Sequence, residues 1–336
     1  MIGNAAAKAT MPVKPNSEFQ YESRFGGTDL LLILMTSIWG VNFTAIKHSL
    51  EDLFPLSFNG LRFAIASVVM LAVLRLSGGS LKLPRSDWLR FFGWGLLANA
   101  VYQTIFITGM AHTRTGNAAL IASTTPFFTA IVGRIRKQEY FTARGVTGLF
   151  LAFAGIVFII VSGGKTVEFG NTIVGDLMLL CSTMCWTLYT VGAKDLVRKH
   201  GSVKSTTAMM ITATPVFLLI CTPSFISQDW NSVRPLAWGG VAFSALMAIA
   251  LAHSLWNHGV KKIGSTRTAV YGNVTPVVAM LAAWLVLGER PTIGQIVGAC
   301  VIFIGLYFVR NGLIAVAPAA EIEEEIEEAC LGPGKN

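Results

Sequence analysis

Acidic residues are missing from the interiors of the long apolar runs in this sequence, and charge of either sign is scarce throughout. Only 13% of the 336 residues are charged, against 53% hydrophobic; a soluble domain carries about 25% charge. A water-covered globule is therefore excluded, and a mean hydropathy of +0.59 assigns most of the surface to lipid. Cysteine is thin as well. Cys181, Cys185, Cys221, Cys300 and Cys330 form an odd, scattered set, which speaks against a disulfide framework. Four of them lie in apolar runs, where a free thiol behaves as a small hydrophobe. Cys181 and Cys185 fall on one helix face, but no His lies beside them, so helix packing is expected rather than a metal pair. No phosphate-cradling loop, metal-ligand spacing or nucleophile arrangement occurs, which argues against an enzyme or an ATP-driven pump; no cofactor or metal is expected. The net charge of +8 does not signal nucleic acid, because the cations sit in short clusters between apolar runs, as membrane topology signals do.

What is present is a set of apolar runs of membrane-spanning length, about 20 residues each. Ten qualify, at roughly 29–48, 56–76, 88–110, 116–134, 144–162, 173–194, 204–223, 236–258, 266–287 and 292–311. Short joints such as Ser77-Gly78-Gly79-Ser80 and Gly288-Glu289-Arg290-Pro291 carry turn signals and leave no room for a soluble domain. Counting Lys and Arg on alternate sides gives 20 on the side of both termini and 5 on the other, with Arg62 inside a run completing the 26. The excess predicts that both termini are cytoplasmic. Residues 1–27 lack the charged region, apolar core and cleavage site of a secretory signal, so the first run is expected to stay as a span.

The segment Thr115–Ile160 is copied, without a gap, by Ser265–Arg310. At an offset of 150, Thr125-Pro126 falls on Thr275-Pro276, Glu139 on Glu289, Thr142 on Thr292, Gly148 on Gly298 and Gly155 on Gly305. At an offset of 147, Trp39 meets Trp186 and Lys47 meets Lys194. A self-match of this length marks a duplication. Five runs per copy is an odd number, so the copies must be inverted relative to one another, and their interface is where a transported solute would bind. The predicted architecture is an all-α integral membrane protein: ten transmembrane helices as two inverted-topology five-helix repeats around a central cavity. Its parts are a cytoplasmic tail (1–27), two repeats (28–162 and 163–312) and an acidic cytoplasmic tail (313–336).

These features resemble the EamA-type members of the drug/metabolite transporter superfamily. The likeness is carried by Ser37-Ile38-Trp39-Gly40-Val41-Asn42-Phe43, by Leu61-Arg62-Phe63, and by the Thr-Pro motif and Glu of each half. It covers roughly residues 28 to 312. It implies a multi-pass transporter of the cell (inner or plasma) membrane, working as a monomer or homodimer. The first, third and fourth spans and their counterparts would surround the cavity. Family members carry amino acids, other metabolites, nucleotide-related compounds and drugs, so the substrate stays open; export of amino acids or similar metabolites is the leading expectation. Export of aromatic drugs or toxic analogues is the alternative within the class. An integral-membrane enzyme would cluster acids, His or Cys at one face, and an inactive scaffold would need no polar lining.

Polar groups inside a bilayer are costly and face protein or a water-filled cavity. Candidate substrate-binding residues are Trp39 and Asn42 on the first run, Tyr102 and Gln103 on the third, Trp186 and Tyr189 on the sixth, His253 and Asn257 on the eighth, and Tyr271 on the ninth. Trp39, Asn42 and Phe43 share a helical face. Such a lining of rings and amides stacks on apolar or planar groups and hydrogen-bonds amines and carboxylates. Trp256 and His258 accompany the eighth-run pair. Pro126 and Pro276 are candidate helix breaks. Arg62 has no acid on its own run; the resemblance places an Arg here whatever the substrate, so a structural role is expected, with a substrate carboxylate or the loop acids Glu51 and Asp52 as other partners. Glu139 and Glu289 are expected to cap helices or pair at the surface. Small multidrug exporters use a membrane-embedded Glu to trade protons for cations. No such Glu exists here, so any proton coupling falls to His253 or His258.

Overall fold

The computed structural model describes residues 25–113, 118, 121–162, 173–278, 280–281 and 291–315. The acidic tail, Cys330 and Glu289 lie outside the described residues. Helices follow one another in chain order. α1 (Gly27–Ser49) leads to α2 (Pro55–Leu76), where Pro55 supplies a pre-set φ in the first turn. α3 (Arg85–Gly95) runs through a π-helical stretch, Leu96–Val101, into α4 (Tyr102–Ala111). α5 (Thr125–Ile135), strand β1 (Glu139–Phe141) and α6 (Ala143–Ser162) complete the first half of the chain. In the second half come α7 (Ile173–Gly192), the short α8 (Lys194–His200) and α9 (Ser202–Ser227). α10 (Pro235–Phe243) passes through a second π-helical stretch, Ser244–Leu251, into α11 (Ala252–Ile263). α12 (Ser265–Tyr271), one 3-10 turn at Gly272–Val274, α13 (Ile293–Gly312) and strand β2 (Leu313–Ala315) close the chain.

Among the described residues six helices are long and apolar enough to cross a membrane: α2, α6, α7, α9, α13, and α10 with α11 as one 29-residue rod. At about 1.5 Å per residue, 20 residues reach the roughly 30 Å of the hydrocarbon layer. Of the other four apolar runs, 116–134 and 266–287 are only partly described, the described apolar stretch of α1 is Gly27–Asn42, and the third run carries the polar Asn99, Tyr102 and Gln103. Large side chains such as Val68, Leu89, Phe150, Leu219 and Ile293 face outward, as expected where lipid replaces water.

α6 and α13 are the closest-packed pair. A Cβ added to Gly148 would stand 2.7 Å from the Gly305 carbonyl oxygen, and one added to Gly155 would stand 2.6 Å from that of Gly298. Contact of the early part of one helix with the late part of the other makes the pair antiparallel. Small residues permit this approach in membranes, where dispersion and packing replace the hydrophobic effect. The ends are pinned too. Thr142 Oγ1 donates to the Gly312 carbonyl at 2.8 Å, and Thr292 Oγ1 to that of Ser162 at 3.1 Å. Beyond the first of these, β1 pairs antiparallel with β2, Tyr140 opposite Ile314.

Gly264, at φ +89°, lets the chain reverse between α11 and α12 in one residue, a conformation that side chains with a Cβ resist.

Candidate aromatic and amide site between the helices

Trp39, near the middle of α1, is held by its indole: Nε1 donates to the Ala248 carbonyl at 3.1 Å. That carbonyl belongs to the second π-helical stretch, where the widened turn alters the usual backbone pairing. The matching stretch at Leu96–Val101 stands 150 residues earlier in the same apolar setting. Both deliver the chain into a helix bearing candidate residues, Tyr102 and Gln103 on α4, His253 and Asn257 on α11.

From these positions the rings converge. Trp186 of α7 is the hub: its ring lies 5.0 Å from Tyr102, 5.1 Å from Tyr189, 5.4 Å from His253, 5.2 Å from Trp256 and 6.1 Å from Trp39. The Trp39 and Trp186 planes cross at 73°, the edge-to-face geometry that the ring quadrupoles favour. Trp256, which accompanies the eighth-run pair in the sequence, joins the cluster one turn beyond His253 on the same helix. On the α9 side the amides take over. Tyr189 Oη donates to Asn257 Oδ1 at 2.8 Å, and Asn257 Nδ2 to Thr206 Oγ1 at 2.9 Å. Asn42 is buried, and its Oδ1 has no hydrogen-bond partner among the described residues.

Among the described residues the rings meet one another, and Trp186 is only 7% exposed. A cavity of about 440 Å³ lies elsewhere, among Val277, Met280, Leu281, Ile296, Ala299 and Phe303, and none of the nine candidate residues borders it. Tyr271 does not join Trp186 through a ring contact. Its hydroxyl bonds Asp29 Oδ1, which also pairs with Arg310. Gln103 is buried and serves Arg62, whose Nη2 donates to its Oε1 at 3.0 Å. Pro126 occupies the second position of α5, just after a turn at Ser123 and Thr124. Pro276 stands two residues past the 3-10 turn. Both therefore sit where a helix restarts.

Sequence reasoning missed two buried ionic groups. Asp29 is 0% exposed in the first turn of α1, where Oδ2 also accepts from the Gly26 amide at 2.7 Å. Glu139, 2% exposed, caps α12, one of the two roles expected for it, but does so in a buried setting. It accepts from the Ser265 amide at 2.8 Å and the Thr266 hydroxyl at 2.5 Å, with Lys194 Nζ 3.7 Å away. A carboxylate at a helix N-terminus satisfies amides that have no partner within the helix. Lys194 had been counted as a topology cation; its repeat match to Lys47 was the available hint. On the opposite side Glu51 and Asp52 pair with Arg234, not with Arg62. Hydrogen bonds from Arg234 hold both carboxyls below the usual range.

A bundle of apolar helices around a buried core of rings and amides is the build of a multi-pass membrane protein. The sequence pattern of the EamA-like transporter family matches this chain twice, at residues 27–161 and 173–311. The chain belongs to that family. It is similar to the uncharacterized transporter YyaM of Bacillus subtilis (strain 168), 27% identical over 85% of this chain and 94% of the relative. A probable amino-acid metabolite efflux pump of Salmonella typhimurium is 24% identical over 82% of this chain and 92% of the pump. One solved crystal structure shares the fold with a TM-score of 0.70 at 17% identity, covering 90% of this chain and 99% of its own.

Proposed function

We propose that this membrane transporter exports small organic metabolites, amino acids foremost, by alternating access between two inverted five-helix halves, 28–162 and 163–312. The observation that carries the reading is the Trp186 hub, which gathers rings from α1, α4, α7 and α11 and so draws on both halves. Trp39, Tyr102, Trp186 and His253 would stack on an apolar side chain. Asn42 Oδ1, buried and without a hydrogen-bond partner among the described residues, is an acceptor suited to an ammonium group. Gln103, Tyr189 and Asn257 supply amides and a hydroxyl around it. In the closed arrangement the rings fill one another's space, and opening would admit solute between them.

The two-fold relation of the α6 and α13 contacts supports the inverted halves: shifting Gly148 and Gly155 by 150 yields their partners in exchanged order. The buried pairs Glu139–Lys194 and Asp29–Arg310 would seal the side toward which the Lys and Arg excess places both termini, the cytoplasm. Such seals must part in each cycle. Tyr271, bonded to Asp29, belongs to that seal in this reading, and Pro126 and Pro276 to the segments that flex. His253 is the titratable group within the cluster, so any proton coupling would run through it.

The ring content favours aromatic drugs or toxic analogues as the second reading. Both are tested by one experiment. Vesicles reconstituted with the protein are loaded with an amino-acid panel or with aromatic drugs, and efflux is followed with and without a pH gradient. Amino-acid efflux above that of empty vesicles is expected. Efflux of the drugs alone would select the second reading, and efflux of neither would reject both.

A further inference from the structure

Arg62 carries a charge that the described residues leave unbalanced. It is 2% exposed, in α2. Nη1 donates to Ser244 Oγ and Nη2 to Gln103 Oε1, each at 3.0 Å, and both acceptors are neutral. Nε is buried with no hydrogen-bond partner among the described residues. The Phe58 and Phe63 rings lie 5.0 and 6.0 Å from the guanidinium carbon. Arg234 takes the two loop acids that might have served. A cation withdrawn from water is costly unless an anion meets it. Neutral acceptors and ring faces offset only part of that cost.

Its position says which anion is missing. Phe63, the next residue, is 6.3 Å from His253, and His253 is 5.4 Å from Trp186. Gln103 follows Tyr102, whose ring is 5.0 Å from the same Trp186. Arg62 therefore borders the ring cluster from the α2 side.

We infer that Arg62 is the carboxylate anchor of the substrate site. A carboxylate accepts two parallel hydrogen bonds from the Nε and Nη2 edge of a guanidinium. On that edge Nε is now empty and Gln103 holds Nη2, so the Gln103 side chain yields when a substrate arrives. This inference rests on the reading of the ring cluster as the substrate site, and it narrows the class to carboxylates and zwitterions. Cationic drugs without a carboxylate are disfavoured.

The test needs no variant to begin. Proteoliposomes carrying the wild type are loaded with phenylalanine and leucine or with their carboxamides. The amino acids are expected to leave about tenfold or more faster. Arg62→Gln is expected to bring the amino acids down to the carboxamide rate and to leave the carboxamides little changed. If that variant does not insert, Arg62→Lys, which keeps the charge and loses the fork, is expected to slow the amino acids alone. Equal wild-type rates for the two sets overturn the inference and leave the transport reading standing. Either variant slowing both sets alike also overturns it, since that marks a purely structural arginine. A wild type that moves neither set overturns both inference and reading.

Discussion

Gly155 and Gly298 leave no room for a side chain between them: a Cβ on either would stand 2.6 Å from the other's carbonyl oxygen. Both neighbours are backbone, so neither can swing aside. We expect Gly155→Ala or Gly298→Ala to cost about 1–3 kcal/mol, the range for overpacking, read as a lower unfolding temperature in detergent. Gly93→Ala is the control. Nothing lies within 4 Å of a Cβ there, and its midpoint should hold or rise slightly. Equal losses at all three positions would mean that the α6 and α13 contact has no special weight.

Asp29 and Arg310 are buried together, with Tyr271 bonded to the same carboxylate. Removing one member of such a pair strands its partner, at about 3–5 kcal/mol, whereas replacing both by apolar groups is often close to neutral. Asp29→Leu is thus expected to lower the unfolding midpoint sharply, and Asp29→Leu with Arg310→Met to recover much of the loss. A double variant as poor as the sum of the two singles would show that the side chains act independently.

Acid stability should report on Asp87, at the start of α3. Hydrogen bonds from Lys199 and then His200 hold its carboxyl below the usual 3.8. A depressed folded-state value means that the stabilisation is complete above 3.8 and is lost as pH falls through the lower, folded value. The midpoint gap between wild type and Asp87→Asn should therefore be constant at neutral pH and close below 3.8. A gap that stays open in strong acid would assign the effect to packing.

Trp39→Phe keeps a ring against Trp186 and removes the hydrogen bond to the Ala248 carbonyl. A lost bond of about 0.5–1.5 kcal/mol corresponds to roughly a two- to tenfold slower efflux. The check is the initial efflux rate at matched protein content in vesicles. Wild-type flux would place the indole nitrogen outside the working site.

Much of this was legible from the sequence because lipid imposes strong rules. Apolar runs of fixed length announced the helices, and the copied Gly148, Gly155, Gly298 and Gly305 marked the duplication without telling that the two glycine pairs meet. Trp39 and Trp186 stood out by repeat position, and they do meet. The burial of Asp29, Glu139 and Lys194 was not legible, because a charge at the end of an apolar run normally meets water or headgroups; only the folded chain shows them covered. The π-helical stretches were invisible for another reason: an apolar run reads the same whether its turns close at four residues or five. The bond of the Tyr271 hydroxyl to Asp29 joins opposite ends of the sequence, a contact that no pattern within one run signals.

The most direct measurement compares amino-acid efflux from vesicles bearing wild type, Trp186→Ala or Trp238→Ala. Trp186 is the hub of the ring cluster, while Trp238 is an exposed ring of α10 that touches only Trp230 among the described aromatics. Efflux is expected to fall at least tenfold for Trp186→Ala, a loss of about 1.4 kcal/mol or more in transition-state or binding terms, and to stay near wild type for Trp238→Ala. Equal efflux from all three would contradict the assignment of the ring cluster as the place where substrate binds.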